Sequence, residues 1–174
     1  MALTAIDWAN AAARLKCTVS IIRAVAQKES SGKGFYVTGA LKQRFEPHIF
    51  KRRTGQTASS YVVAYALNPV EAMNSTSWGM FQIMGFNFKA AGYSSVEAML
   101  ADYRKGEKQQ LNSFVTLILD WGLDDELRNK KYAAFAARYN GPKYSINNYD
   151  VDLEKFDKQF AANPLPETAD EKKK

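Results

Sequence analysis

Apolar residues recur at helical spacing along most of this chain. The clearest case is residues 18–32, where Ile22, Val25 and Ala26 fall on one face of a helix that a threonine opens and a glycine closes. Stripes, caps and breakers together predict helices over residues 4–15, 18–32, 47–53, 58–67, 94–104, 107–121, 124–139 and 150–162.

One region departs from helical spacing. Residues 32–45 are richer in Gly, Phe, Tyr and Val, and they contain two short strand candidates, Phe35-Tyr36-Val37 and Arg44-Phe45. The sequence therefore predicts a mainly α fold, a helical domain with one small β excursion after the second helix. We expect one domain over residues 1–162 and a disordered polar tail over residues 163–174.

The charge balance narrows the choice of partners. The 174 residues include 24 Lys and Arg against 18 Asp and Glu, and this net charge of +6 favours nucleic acid, lipid headgroups or an acidic cell wall. The basic residues are scattered and form no nucleic-acid-binding motif, so we expect no nucleic-acid partner. No stretch approaches the roughly twenty apolar residues of a membrane span, so we expect no stable membrane insertion.

Cysteine and histidine are scarce. The single Cys17 excludes an internal disulfide, and one cysteine with one histidine leaves no all-protein zinc site, so no metal or cofactor is expected. No signal peptide is visible, which favours a cytoplasmic protein that another component delivers to any target outside.

A carboxylate interrupts the apolar stripe of the helix at residues 18–32. Glu29 follows Ile22 by two turns and Val25 by one, so it falls on the same predicted buried face. Burial raises a carboxyl pKa, and an acid that is still protonated near neutral pH can donate a proton. Glu29 is therefore a candidate general acid, although an exposed or capping glutamate near the helix end would give the same pattern.

Two further segments place polar side chains among apolar ones. Ser77 is expected to cap a short helix that starts near Trp78, and Gln82 is a buried amide that needs partners within the core or on a ligand. A core helix with one satisfied polar group is the alternative. The Tyr-Asn-Gly-Pro run is first of all a helix stop, and its functional interpretation is a polar pair, Tyr139 and Asn140, at the rim of a cleft.

Four motifs stand in a fixed order along the chain. They are Glu-Ser-Ser-Gly from Glu29, Phe-Glu-x-His-x-Phe from Phe45, Ser-Trp-Gly-x-Phe-Gln-Ile-Met-Gly from Ser77, and Tyr-Asn-Gly-Pro from Tyr139. Together they resemble the N-acetylmuramidase domain of phage endolysins, within the lysozyme superfamily that also holds goose-type lysozymes and soluble lytic transglycosylases. The resemblance spans roughly residues 18–160 and implies a lysozyme-like fold with a substrate groove.

The resemblance also implies roles for individual residues. Glu29 would protonate the glycosidic oxygen between N-acetylmuramic acid and N-acetylglucosamine, and Tyr139 would hydrogen-bond near it. The predicted substrate-contacting residues are Ser30, Ser77, Trp78, Gln82, Tyr139 and Asn140. For Trp78, stacking on a sugar face and filling the core both stay open.

A second carboxylate would decide between two reactions. Inverting glycosidases hold two carboxylates roughly 6.5–9.5 Å apart with a water between them, and Glu46 is the candidate because it lies in the second motif. Glu46 also precedes Pro47, so it could be only the cap of the next helix. An active Glu46 favours hydrolysis. The alternative is a lytic transglycosylase, which uses the same acid but gives 1,6-anhydro products.

The resemblance implies a biological setting. We expect a monomeric endolysin that acts on bacterial peptidoglycan, stays in the host cytoplasm until lysis and reaches the wall through a membrane lesion made by a partner. The positive charge fits an anionic wall. A wall-binding module without catalysis is the alternative from another class, and the intact motif around Glu29 argues against it.

Overall fold

Helices account for most of the computed structural model, which describes residues 3–166. The helices are α1 (Ala5–Leu15), α2 (Val19–Ser30), α3 (Pro47–Thr54), α4 (Tyr61–Leu67), α5 (Pro69–Asn74), α6 (Val96–Tyr103), α7 (Glu107–Asp120), α8 (Asp124–Arg128), α9 (Tyr132–Tyr139) and α10 (Tyr149–Ala162), and the strands are β1 (Gln43–Phe45), β2 (Thr76–Trp78) and β3 (Ile83–Met84). This architecture confirms the mainly α fold with a small β region. Most of the tail predicted to be disordered, residues 167–174, lies outside the described residues.

The chain divides into two compact units. The first unit, residues 33–117, contains the sheet, α3 to α6 and most of α7. The second unit comprises residues 3–32 and 118–166 of the described chain, and it contains α1, α2 and α8 to α10. Each unit has its own set of buried apolar side chains.

The sheet of the first unit overturns one prediction. The short helix predicted with Ser77 as its cap is wrong, because residues 76–84 form β2, a tight turn and β3. Gly79 and Gln82 take left-handed φ angles of 73° and 48° in that turn, and a right-handed helix cannot continue through such residues. β2 is the central strand and pairs antiparallel with both neighbours, so that Ser77 lies opposite Arg44 of β1.

A buried glutamine holds the turn between β2 and β3 against α7. Gln110 is 1% exposed, and its Oε1 accepts the backbone N–H of Met80 at 2.7 Å. Its Nε2 donates to the carbonyl of Tyr103 at 3.2 Å. A Cβ would lie 2.7 Å from this Oε1 at Gly79 and 2.1 Å from it at Gly34, so a side chain at either position would displace the Gln110 amide. The turn is thereby fixed to the interior of the first unit.

In the second unit, α2 packs against α1 and α10, and α10 also packs against α9. The apolar face predicted for α2 is the buried one, since Ile22 and Val25 are both 0% exposed. The helical region predicted over residues 124–139 consists of two helices, because Lys130 takes a left-handed φ of 54° and separates α8 from α9. None of the helices within residues 3–166 is long and apolar enough to cross a membrane.

The end of α2 fixes the position of Glu29. The helix stops where Ser31 and Gly32 adopt left-handed φ angles of 58° and 71°. Their backbone N–H groups donate back to carbonyls of the last turn at 3.0 Å each, which closes the helix directly after Ser30. Glu29 therefore belongs to the final helical turn rather than to a frayed end.

Candidate active site

Glu29 is half-buried at the end of α2, and a tyrosine holds its carboxylate. The phenol O–H of Tyr149 donates to Oε1 of Glu29, with the two oxygens 2.5 Å apart. Tyr149 is the first residue of α10 and is 3% exposed. The phenol of Tyr149 is therefore in direct hydrogen-bond contact with the carboxyl group of Glu29.

The phenol of Tyr149 keeps its proton, and so remains a donor, to a higher pH than an ordinary tyrosine does. Burial, and next the negative charge of Glu29, raise the pKa of Tyr149 well above its ordinary value. Sequence reasoning missed this residue. Tyr149 lies 120 positions from Glu29, in none of the four motifs and just before the last predicted helix at residues 150–162, so nothing in the sequence distinguished it.

An ion pair also joins the C-terminal end of α2 to the N-terminal end of α10. The Lys28 ammonium lies 2.6 Å from Oδ2 of Asp152 and donates to the carbonyl of Asn147 at 3.0 Å. It also lies 5.6 Å from the centre of the Tyr149 ring, within the range of a cation–π contact. The neighbour of Glu29 in sequence therefore contacts the segment that positions Tyr149.

The Tyr-Asn-Gly-Pro turn supplies a second aromatic group to this unit. Tyr139 ends α9 and stacks on Phe135 with ring centres 5.1 Å apart, and Trp121 meets it edge-on at 6.1 Å. Tyr139 also raises the pKa of Tyr149, after burial and the charge of Glu29. Asn140 follows as an exposed residue at the C-cap of α9.

Ser30 is 8% exposed and bonds to its own helix. Its hydroxyl donates to the carbonyl of Ala26, one turn earlier, at 3.2 Å. A contact between Ser30 and substrate therefore stays a prediction.

Glu46 occupies the N-cap position of α3, but its side chain makes no capping hydrogen bond. One carboxylate oxygen lies 3.1 Å from Nε of Arg44, and the other lies 3.6 Å from Nδ1 of His48. The side chain is 22% exposed. Glu46 therefore stands at the N-cap position, as the cap interpretation predicts. Its carboxylate, however, contacts Arg44 and His48 and not the backbone N–H groups of α3.

Ser77 and Gln82 bond to each other across the β2–β3 turn. The Ser77 hydroxyl donates to Oε1 of Gln82 at 2.8 Å, and Nε2 of Gln82 donates to the carbonyl of Gly79 at 2.8 Å. These bonds satisfy much of the amide that the sequence marked as needing partners. Trp78 is 3% exposed, and its indole N–H donates to the carbonyl of Met73 at 3.0 Å. Of the two possibilities for Trp78, stacking on a sugar face or filling the core, this position matches the core.

The predicted site residues divide between the two units. Glu29, Ser30, Tyr139 and Asn140 belong to the second unit, and Glu46, Ser77, Trp78 and Gln82 belong to the first. The second unit gathers Glu29, Tyr139 and Tyr149, whereas in the first the β1–β2 pair aligns Ser77 with the ion-pair partner of Glu46. Within residues 3–166, no three His, Cys, Asp or Glu side chains are grouped so that they could hold a metal ion.

The sequence from residue 18 to residue 161 matches the N-acetylmuramidase family, in two overlapping segments, 18–63 and 59–161. The chain belongs to this family. Among solved structures, the crystal structure of the Burkholderia AP3 phage endolysin is similar to this muramidase, with 33% sequence identity over 92% of this chain and 72% of that one and a TM-score of 0.77. A comparison with curated proteins found no match.

These likenesses confirm the family and the activity that the four motifs implied. The muramidase is a lysozyme-type glycoside hydrolase of the phage endolysins, and peptidoglycan is its substrate. All of the predicted site residues, and Tyr149 with them, lie within the matched segments. The roles of individual residues stay predictions.

Proposed function

We propose that Glu29 is the general acid of this endolysin and protonates the glycosidic oxygen between N-acetylmuramic acid and N-acetylglucosamine. The observation that carries the proposal is the hydrogen bond of 2.5 Å from Tyr149 to Oε1 of Glu29. Because Oε1 accepts the phenol proton, the proton that Glu29 transfers belongs on Oε2. The bond thus selects which oxygen donates and restricts its orientation.

The same bond stabilises the product of proton transfer. Once Oε2 has given up its proton, Glu29 is a carboxylate, and a hydrogen bond to an ionised oxygen is roughly twice as strong as one between neutral groups. Tyr149 therefore stabilises the developing charge more than it stabilises the starting acid. This difference between transition state and ground state is what raises a catalytic rate.

For Glu46 we propose activation of the attacking water. Its carboxylate is paired with Arg44 at 3.1 Å and is not used to cap α3, so it can accept a proton from water. Attack by water gives hydrolysis and a reducing muramic acid end. In the lytic transglycosylase alternative, the muramic acid 6-hydroxyl attacks instead and the products are lighter by one water.

The remaining predicted residues are proposed to contact the sugar chain. The Ser77–Gln82 pair presents polar groups on a turn that the core of the first unit holds in place, and Tyr139 and Asn140 present an aromatic face and an exposed amide at the end of α9. Ser30 and Trp78 have the weaker support, since their polar atoms bond within the protein.

We propose that the enzyme is a monomer that stays in the host cytoplasm until lysis, inserts into no membrane and binds no nucleic acid. The scattered arrangement of its basic residues and the net charge of +6 suit diffuse attraction to an anionic wall. Sedimentation equilibrium and fractionation of infected cells before and after lysis would test these statements.

Mass spectrometry of the products from purified peptidoglycan tests the catalytic proposal. We expect reducing muropeptides from the wild type and from Glu154→Gln, a control that changes the glutamate of α10 paired with Lys158. We expect none from Glu29→Gln. Products from Glu29→Gln would show that Glu29 is structural, and 1,6-anhydro products from the wild type would show that the reaction is transglycosylation.

A further inference from the structure

A pocket of about 420 Å³ lies within the first unit, on a different surface from Ser77. Its walls include Gln43 of β1, Trp78 of β2, Tyr61 of α4 and Arg104 at the end of α6. In β1 and β2, Gln43 is opposite Trp78 and Arg44 is opposite Ser77. Because successive side chains of a strand point to opposite faces, the pocket opens on the face of the sheet that Ser77 does not occupy.

The pocket has an aromatic wall and one cation. Tyr61 meets Trp78 edge-on with ring centres 5.5 Å apart, and Phe35 adds a third ring to the lining. Arg104 is exposed, and its guanidinium makes no hydrogen bond or ion pair among residues 3–166. Its charge acts on the phenol of Tyr61, whose pKa burial raises and Arg104 lowers in part, so the cation faces this wall.

A buried acceptor without a donor lies beside the same wall. Oε1 of Gln43 is inaccessible to solvent and has no hydrogen-bond partner among the described residues. The backbone of Gln43 is held in place, because the Tyr36 hydroxyl donates to its carbonyl at 3.0 Å. A buried carbonyl oxygen without a partner is unfavourable, so the Gln43 amide gains a hydrogen bond if its side chain turns towards the pocket and meets a ligand N–H there.

These features define a ligand with an apolar body, a carboxylate and an amide N–H. A short acidic peptide has all three, and the peptide stems of peptidoglycan carry free carboxylates next to small apolar residues. A guanidinium binds carboxylates through two parallel N–H donors, and the pocket volume of about 420 Å³ is within the range of sites that take small ligands.

We propose that this pocket binds the peptide stem of peptidoglycan, with a stem carboxylate on Arg104 and a stem N–H directed to Gln43. The proposal rests on the proposed function, since it concerns the same substrate. It adds a second recognition element: the enzyme reads the peptide as well as the glycan strand. Arg104 acts in binding and takes no part in bond cleavage.

Direct binding tests the pocket without catalysis. The probe is L-alanyl-γ-D-glutamyl-L-lysine, compared with the same peptide in which every carboxylate is amidated, by calorimetry on the catalytically inactive Glu29→Gln background. We expect Arg104→Gln to weaken binding of the acidic peptide about tenfold and to leave the amidated peptide unaffected. Arg52→Gln, which changes an exposed arginine of α3 in the same unit, is the control and should bind as the parent does. Equal binding by Arg104→Gln and the parent, or no binding at millimolar peptide, would overturn the proposal.

Kinetics on two substrates separates this proposal from the catalytic one. On intact peptidoglycan we expect Arg104→Gln to raise KM about tenfold with kcat unchanged. On glycan strands from which an amidase has removed the stems, we expect no difference from the wild type. An equal loss on both substrates would mean that the pocket binds sugar or is structural, and would refute the stem site. A wild type that releases no muropeptides would refute the catalytic proposal alone, because the peptide-binding result does not depend on cleavage.

Discussion

The contribution of the Tyr149 hydroxyl to catalysis can be measured by removing a single oxygen atom. Tyr149→Phe keeps the ring, which is 3% exposed, and removes only the hydroxyl that donates to Glu29. A hydrogen bond between neutral groups contributes about 1 kcal/mol and one to a charged group about 1.5–3 kcal/mol, so the bond gains about 0.5–2 kcal/mol as Glu29 ionises. At about 1.4 kcal/mol for each factor of ten, kcat should fall by about 2- to 30-fold. The deep burial of the phenol favours the upper part of that range.

The assay is release of reducing ends from peptidoglycan, measured against pH. We expect KM to change little, because the bond strengthens only as charge develops. The basic limb of the pH–rate profile should move to higher pH, since the ionised form of Glu29 loses a donor. Tyr149 does not produce that limb itself, because burial and the charge of Glu29 raise its pKa well above the ordinary value.

Two controls make the result decisive. Tyr144→Phe removes a hydroxyl that makes no hydrogen bond within residues 3–166, and it should keep wild-type activity. The second control is folding: Tyr149→Phe should keep the cooperative urea unfolding of the wild type, so that a fall in kcat is not a loss of folded enzyme. A folded Tyr149→Phe enzyme with wild-type kcat and an unchanged pH profile would refute the role given to this bond.

Three further predictions concern stability and reactivity. Gly79→Ala should lower the free energy of unfolding by about 2–4 kcal/mol, because Gly79 has a left-handed φ of 73° and the added Cβ would lie 2.7 Å from Oε1 of Gln110. Urea titration measures this change, and a loss under about 0.5 kcal/mol would contradict the argument. Burial raises the pKa of Asp157, but hydrogen bonds from Ser20, Lys130 and Tyr132 outweigh it and leave the pKa below its ordinary value. The stability that this shift gives is present above the unfolded pKa of about 3.9 and is lost as pH falls through the folded pKa. The advantage of the wild type over Asp157→Asn in free energy of unfolding should therefore shrink below about pH 4. Burial raises the pKa of Cys17 to about 12, so iodoacetamide at pH 8 should label this partly exposed thiol far more slowly in the native protein than after denaturation; equal rates would contradict the raised pKa.

The long helices could be predicted from the sequence, whereas the short or irregular elements could not. α2 and α7 contain 12 and 14 residues, enough turns for an apolar stripe to repeat several times. β2 and β3 contain only three and two residues, so no alternation can be read from them. Their turn depends on Gln82 in a left-handed conformation, and a residue other than glycine gives no warning of it. The break at Lys130 was hidden for the same reason.

The proposed acid, Glu29, and the residue that orients it, Tyr149, differ in how they can be identified. Glu29 violates the pattern of its helix, and a charged residue on an apolar face is visible in the sequence alone. Tyr149 obeys the pattern of its own helix, since an aromatic ring at a buried position is ordinary, and its hydroxyl acquires a function only when α10 packs against α2. Motifs therefore identify the group that gives up the proton, whereas the group that orients it is found only by tracing which helix covers the acid. That is why the loss of one phenol oxygen, in a residue outside all four motifs, is the sharpest test of the mechanism.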